Sequence, residues 1–185
     1  MGSPTHVGFL RAVNVGGRTA RKEQLVAAAE AAGADDVSTF IASGNLLFAP
    51  GTLPVRRPQL ETALERALED ELGFTTEVFV RGRRQLAALA DCDPWDGAVD
   101  LDAGTWNVGF LRAALPAADA ARLVSLSSAD DHLATSGSEL HWHTAGKMSD
   151  SVLFQRPKDM GRAIGDVPVT MRNIRTVRRL VDKLG

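Results

Sequence analysis

The stretch VGFLRA occupies Val7–Ala12 and recurs unchanged at Val108–Ala113. Each copy lies in an apolar run, THVGFLRAV (5–13) and TWNVGFLRAAL (105–115), whose β-branched and aromatic residues read as a strand. Neither run alternates apolar with polar residues, so each strand is expected to be covered on both faces.

Working outward from the first copy, NVGG breaks the strand and TARKEQLVAAAEAAG (19–33) reads as a helix, with Leu25, Ala28, Ala29 and Ala32 on one face and Gly33 as its stop. DVSTFIA and LLFA flank SGN as a hairpin. Pro58 opens a second helix with a stripe of Leu60, Ala63, Leu64, Ala67, Leu68 and Leu72, closed by Gly73, and TTEVFVR (75–81) is a further strand. The order is β-α-β-β-α-β, the ferredoxin-like unit. The second copy repeats it. TWNVGFLRAAL is followed by a helix over 116–126, a hairpin DDHLAT-SGS-ELHWHT, a helix irregular around Pro157, and a closing strand VPVTM. The expected fold is therefore α+β: two tandem ferredoxin-like units from an internal duplication, each with sheet order 4-1-3-2. The boundaries are 1–82 for the first unit, 83–104 for a helix and linker, 105–172 for the second unit and 173–185 for a C-terminal helix. Helices cover one face of such a sheet, so the other is expected to be buried against the second unit or against a homodimer mate.

Composition narrows the function classes. The chain has 185 residues, 44% hydrophobic and 24% charged, with a formal charge of −2, which disfavours a general polyanion binder. One cysteine excludes an intrachain disulfide. The N-terminus lacks a basic segment followed by an apolar core, and no run reaches the ~20 apolar residues of a membrane helix. A cytoplasmic protein without membrane contact is the expectation.

FLRAVNVGG (Phe9–Gly17), IASGNLLF (Ile41–Phe48) and TMRNIRTVRRL (Thr170–Leu180) resemble the bacterial family catalogued as domain of unknown function 1697. The likeness runs through nearly the whole chain in the same order. It implies a two-unit α/β fold and no activity, because that family is uncharacterised. Three positions depart from the family pattern: Ala12 stands for a glycine, Ile174 for a tryptophan, and Gly146 precedes Lys147 where serine is common.

Topology then places a candidate site. In a ferredoxin-like unit the first two strands are parallel and end at the same edge, so the NVGG loop and the SGN hairpin are neighbours. Arg11, Asn14, Gly16, Gly17, Arg18, Ser43, Gly44 and Asn45 gather there, beside the first turn of a helix. Glycines, a helix start and cations suit a phosphate or carboxylate; turn chemistry alone accounts for the same residues equally well. Lys147, Arg172 and Asn173 are candidates for a second part of that site, with capping the plainer role for Arg172, Asn173 and Arg175 at a strand-to-helix junction. Arg11 and its counterpart Arg112 are expected to pair with carboxylates or reach solvent.

The other constellations point to structure. His141 and His143, with His132 on the partner strand, have a zinc- or copper-like spacing without a further ligand, so solvent-facing histidines around a core Trp142 are expected. Arg81, Arg83 and Arg84 read as a solvated cluster, and Cys92, between Asp91 and Asp93, does not read as a nucleophile. The sequence implies no metal and no cofactor, names no catalytic residue, and leaves open whether the protein is an enzyme. Two function classes stay open beside a purely structural or protein-interaction role: a binder of a small anionic ligand, and an RNA-binding module. The latter is disfavoured because LLFA lacks the aromatic RNA-recognition pattern and the chain has no tyrosine.

Overall fold

The central strand β1 (His6–Leu10) has no side chain at its midpoint, and its neighbours close over that gap. A Cβ on Gly8 would lie 3.1 Å from Val78 and 3.7 Å from Phe48. The computed structural model describes every residue except Met1, Val15, Gly17, Ala42, Ser43 and Asp166, and the backbone alone of Pro157. It divides into two compact units, Met1–Ala90 with Val177–Gly185, and Asp91–Thr176.

In the first unit β1 pairs antiparallel with β3 (Asn45–Ala49) and with β4 (Val78–Gly82), and β2 (Asp35–Thr39) pairs with β3, giving the order β2-β3-β1-β4. Helices α1 (Lys22–Ala31) and α2 (Arg57–Leu72) cover one face, where Leu25, Ala28, Leu60, Leu64 and Leu68 pack against Leu10, Leu46, Phe48, Val78 and Val80. Gly33 at φ +98° and Gly73 at φ +75° follow α1 and α2, the stops their positions lead one to expect. Strand pleating turns Val7, Phe9, Leu47, Phe79 and Arg81 to the opposite face, and all five are buried. That double burial explains the continuous apolar run of the repeated segment.

The second unit has the same order, β6-β7-β5-β8, from β5 (Thr105–Phe110), β6 (Asp131–Ser136), β7 (Glu139–Thr144) and β8 (Thr170–Asn173). Gly109 repeats the part of Gly8: its Cβ would meet Met171 and Val169 at 2.8 Å and Leu140 at 3.3 Å. The fold is thus α+β with two repeated ferredoxin-like units. Helix α4 (Ala117–Val124) is regular, whereas the second helical segment breaks into a 3-10 turn (Met148–Asp150), α5 (Val152–Gln155) and α6 (Pro157–Ile164). The break follows from Pro157, since the residue before a proline is pushed out of the helical region, and Arg156 sits at φ −115°, ψ 62°.

Several strands are shorter than the sequence leads one to expect. The first ends at Leu10 because Ala12 turns the backbone at φ +56°. The last starts at Thr170, after Pro168, which has no N–H to give a ladder. Helix α3 (Arg83–Asp91) follows β4 directly, and α7 (Ile174–Val181) follows β8, with the Asn173 side chain accepting from the Arg175 N–H at 2.9 Å. From Val177 onward the chain belongs to the first unit: the Gly185 N–H donates to the Pro4 carbonyl at 3.0 Å and the Arg178 side chain to the Ala90 carbonyl at 3.2 Å.

Strand β4 is a sheet edge, and α2 caps it. The Val78 and Val80 N–H groups donate to the carboxylates of Glu65 and Glu61, each at 2.8 Å, which removes two donors from an edge open to strand addition. Glu61 is buried. Glu61→Ala, which orphans the Val80 N–H, is expected to lower the unfolding free energy by about 1–3 kcal/mol, whereas Glu61→Gln, which keeps an acceptor oxygen, loses less. Urea unfolding of the two variants checks this order.

Candidate functional site

Three segments leave the first unit at the edge where β1 and β2 end: the loop after β1, the β2–β3 hairpin, and the loop joining α2 to β4. Between the first two lies a cavity of about 210 Å³ lined by Asn14, Ala20, Arg21, Lys22, Leu25, Thr39, Ile41, Gly44 and Asn45. Asn14 folds its loop by accepting the Ala20 N–H at 3.0 Å. Asn45 is buried and donates its side-chain N–H to the Phe40 carbonyl at 3.0 Å, while the Phe40 N–H returns a bond to the Asn45 carbonyl. The carbonyl of Gly44, at φ +73°, accepts the Leu10 N–H at 2.8 Å and ties the hairpin to β1.

Ile41 is held at φ +51°, a conformation that β-branched residues rarely adopt, and 43% of its surface is exposed on the cavity wall. Gly16 is exposed at φ +61°. Gly17 and Ser43, two of the residues expected at this edge, lie outside the described residues.

Arg11 and Arg18 stand elsewhere. They line a second cavity of about 510 Å³ with Arg66, Glu65, Glu69, Glu77 and three threonines. Arg11 pairs with Glu77 at 2.6 Å, the carboxylate pairing that is one of its two expected roles. Arg18 lies 5.3 Å from the centre of the Phe74 ring and donates to the Thr75 carbonyl at 3.4 Å. The turn at Ala12 sends Arg11 toward the α2–β4 loop, a contact between segments distant in sequence. This cavity mixes three guanidinium groups with three carboxylates, and two of those carboxylates are already engaged, by Arg11 and by the Val78 N–H.

The residues considered for a second part of the site belong to the second unit. Lys147 is exposed and lines a cavity of about 200 Å³ with Asp130, Asp131 and Asp150. Asn173 caps α7, as the plainer role requires. Arg172 is buried, donating to the Thr170 hydroxyl at 2.9 Å and the Met171 carbonyl at 2.8 Å, and desolvation pulls its guanidinium down to about 10. Arg112 is half-buried.

The family model described as "Protein of unknown function (DUF1697)" matches residues 4–141. The chain belongs to this family. The DUF1697 chain is also similar in fold to the solved structure of conserved bacterial protein SP0830 from Streptococcus pneumoniae, with a TM-score of 0.69, 20% identity and 97% of each chain covered. No curated protein matches it.

Two expectations for this DUF1697 member are corrected by burial of the face opposite the helices. Arg81 is not part of a solvated cluster: pleating points it to that face, where it is fully buried and donates to the Val80 carbonyl at 2.8 Å, while Arg83 and Arg84 are exposed. His141 and His143 are not solvent-facing but buried, beside Trp95 and Trp106. Trp142 does sit in the core, donating to Asp131 at 2.8 Å. His143 Nε2 meets the Ala103 carbonyl at 2.7 Å and must carry the proton, because a carbonyl only accepts. No three His, Cys, Asp or Glu side chains gather as a metal site among the described residues.

Sequence reasoning passed over Arg21 and Lys22. Arg21 stands at the N-cap of α1, where its N–H donates to the Gln24 side chain at 3.2 Å, and Lys22 puts a cation in the first turn, against the macrodipole.

Two predictions follow from the site's conformation and burial. At Gly44 an added Cβ would lie 2.8 Å from Val13 and 3.1 Å from Leu10, whereas at Gly16 it meets nothing within 4 Å. Gly16→Ala is expected to carry only the left-handed backbone cost of ~1–2 kcal/mol, and Gly44→Ala to lose more by adding overlap, as read by chemical denaturation. Burial lowers the pKa of His141 from 6.5 to about 4, so the unfolded chain takes up a proton that the folded chain refuses. Stability is therefore complete above the upper value and falls as pH drops toward the lower, by up to a few kcal/mol. The first unit has Leu47 at the equivalent register. His141→Leu is expected to remove that pH-dependent loss, as measured by urea unfolding at both ends of the window.

Proposed function

We propose that the edge of the first unit binds a small anionic ligand, bearing phosphate or carboxylate, in the cavity between the loop after β1 and the β2–β3 hairpin. One observation carries this reading: Arg21 and Lys22 are the charged residues among the cavity's described lining, and no carboxylate accompanies them. Asn14, Thr39 and Asn45 supply polar groups around them, and an anion there gains charge-assisted hydrogen bonds of the stronger kind. Two local costs support the reading. Lys22 in the first turn opposes the helix dipole, and Ile41 holds a strained backbone conformation of the sort found where a site is pre-formed. The role supported is binding; these residues assign no reaction.

The RNA-binding alternative needs an open sheet face on which bases stack. In both units that face is shielded, by burial of Val7, Phe9 and Leu47 in one and of Trp106, Val108 and His141 in the other.

Titration calorimetry with inorganic phosphate and with citrate tests the proposal. Saturable binding that weakens with added salt is expected. Lys22→Glu should weaken it at least ~10-fold, a change of about 1.4 kcal/mol, and Arg83→Ala, at the opposite edge, should leave it unchanged. Absence of saturable binding, or binding indifferent to Lys22→Glu, would refute the reading.

A further inference from the structure

A second pair of cations stands one residue away from the cavity wall. Phe40 lies between Thr39 and Ile41, both of which line the cavity, and its backbone is bonded in both directions to Asn45. Arg179 places its guanidinium carbon 4.9 Å from the centre of the Phe40 ring, and Lys183 its ammonium nitrogen 5.2 Å from the same centre. Both side chains are exposed, and neither is engaged by a carboxylate among the described residues. Two like charges held on one ring repel each other and raise the local positive potential, which an anion relieves. The ring fixes where they stand: Phe40 is buried, and the segment bearing both cations is anchored by the Gly185 N–H on Pro4.

We infer that this edge accepts a ligand with two anionic groups, one in the cavity at Arg21 and Lys22 and the other on Arg179 and Lys183. The inference rests on the proposed anion site and extends it to a substrate class, a bis-phosphorylated or bis-carboxylated small molecule. The two positions are joined through residues 39–41, since Thr39 and Ile41 line the cavity and Phe40 between them carries the second pair of cations, so the ligand required is short. Ile41, exposed on the cavity wall and next to Phe40 in the chain, offers an apolar surface to the middle of the ligand.

The test compares inorganic phosphate, α,ω-alkane bisphosphates of increasing length and long-chain polyphosphate on the full chain by titration calorimetry. Bisphosphate affinity is expected to peak at one chain length, at least ~10-fold above inorganic phosphate, because the second group binds at high effective concentration. The double variant Arg179→Ala, Lys183→Ala should bring the bisphosphate down to the affinity of phosphate, and Lys22→Glu should weaken both. Phe40→Leu keeps the apolar volume but removes the ring face, and a smaller loss confined to the bisphosphate is expected. Phosphate binding through Lys22 with no gain from any bisphosphate, or a gain that survives the double variant, overturns the inference and leaves the anion site standing. Affinity that rises steadily with polyphosphate length overturns it in favour of a polyanion. No phosphate binding at all overturns both.

Discussion

The approach of Val78 and Phe48 over Gly8, and of Met171 and Leu140 over Gly109, sets the spacing on which each unit depends. A central strand pairs on both sides, so its midpoint side chain competes for space with residues of two neighbours and of the helices above. Leaving that midpoint empty lets the flanking side chains meet across the strand. The residues on either side, Val7 and Phe9 or Val108 and Phe110, then point the other way and are buried there. A glycine between a valine and a phenylalanine is therefore a packing requirement of the strand, and the same requirement twice produces the same letters twice.

Register makes the comparison between units specific. Leu47, Val7 and Arg81 form one row across the first sheet, and His141, Val108 and Arg172 form the matching row in the second. Each unit thus buries an arginine at the same place and satisfies part of it with its own strand's carbonyls, Val80 in one case and Met171 in the other. A buried guanidinium survives only where its N–H groups are received, because its desolvation cost is high. At the other end of the row the units differ, with an aliphatic side chain in one and an imidazole in the other.

How much of this was legible in the sequence depended on whether the cause was local. Strand order, hairpins and helix stops follow from apolar periodicity and from glycines such as Gly33 and Gly73, and these were readable. The break near Pro157 was readable for the same reason. The burial of Arg81, His141 and His143 was not, because polar letters at alternate positions read as a wet face, and only three-dimensional coverage shows otherwise. The division of the edge into two cavities was hidden as well: it turns on the conformation of Ala12 and on Glu77, from a distant loop, receiving Arg11. The pairing of Arg179 and Lys183 with Phe40 joins the last helix to the first hairpin, a contact that no local pattern announces.

The return of Val177–Gly185 to the first unit bears on the order in which the protein is made. Synthesis runs from the N-terminus, so residues 1–90 emerge and can pair their strands long before the segment that completes them exists. Val177 and Leu180, both fully buried, are made only after the whole of the second unit. Until residues 177–185 have been made, the first unit lacks a segment that belongs to it, whereas the second unit, although translated later, is one contiguous stretch of chain.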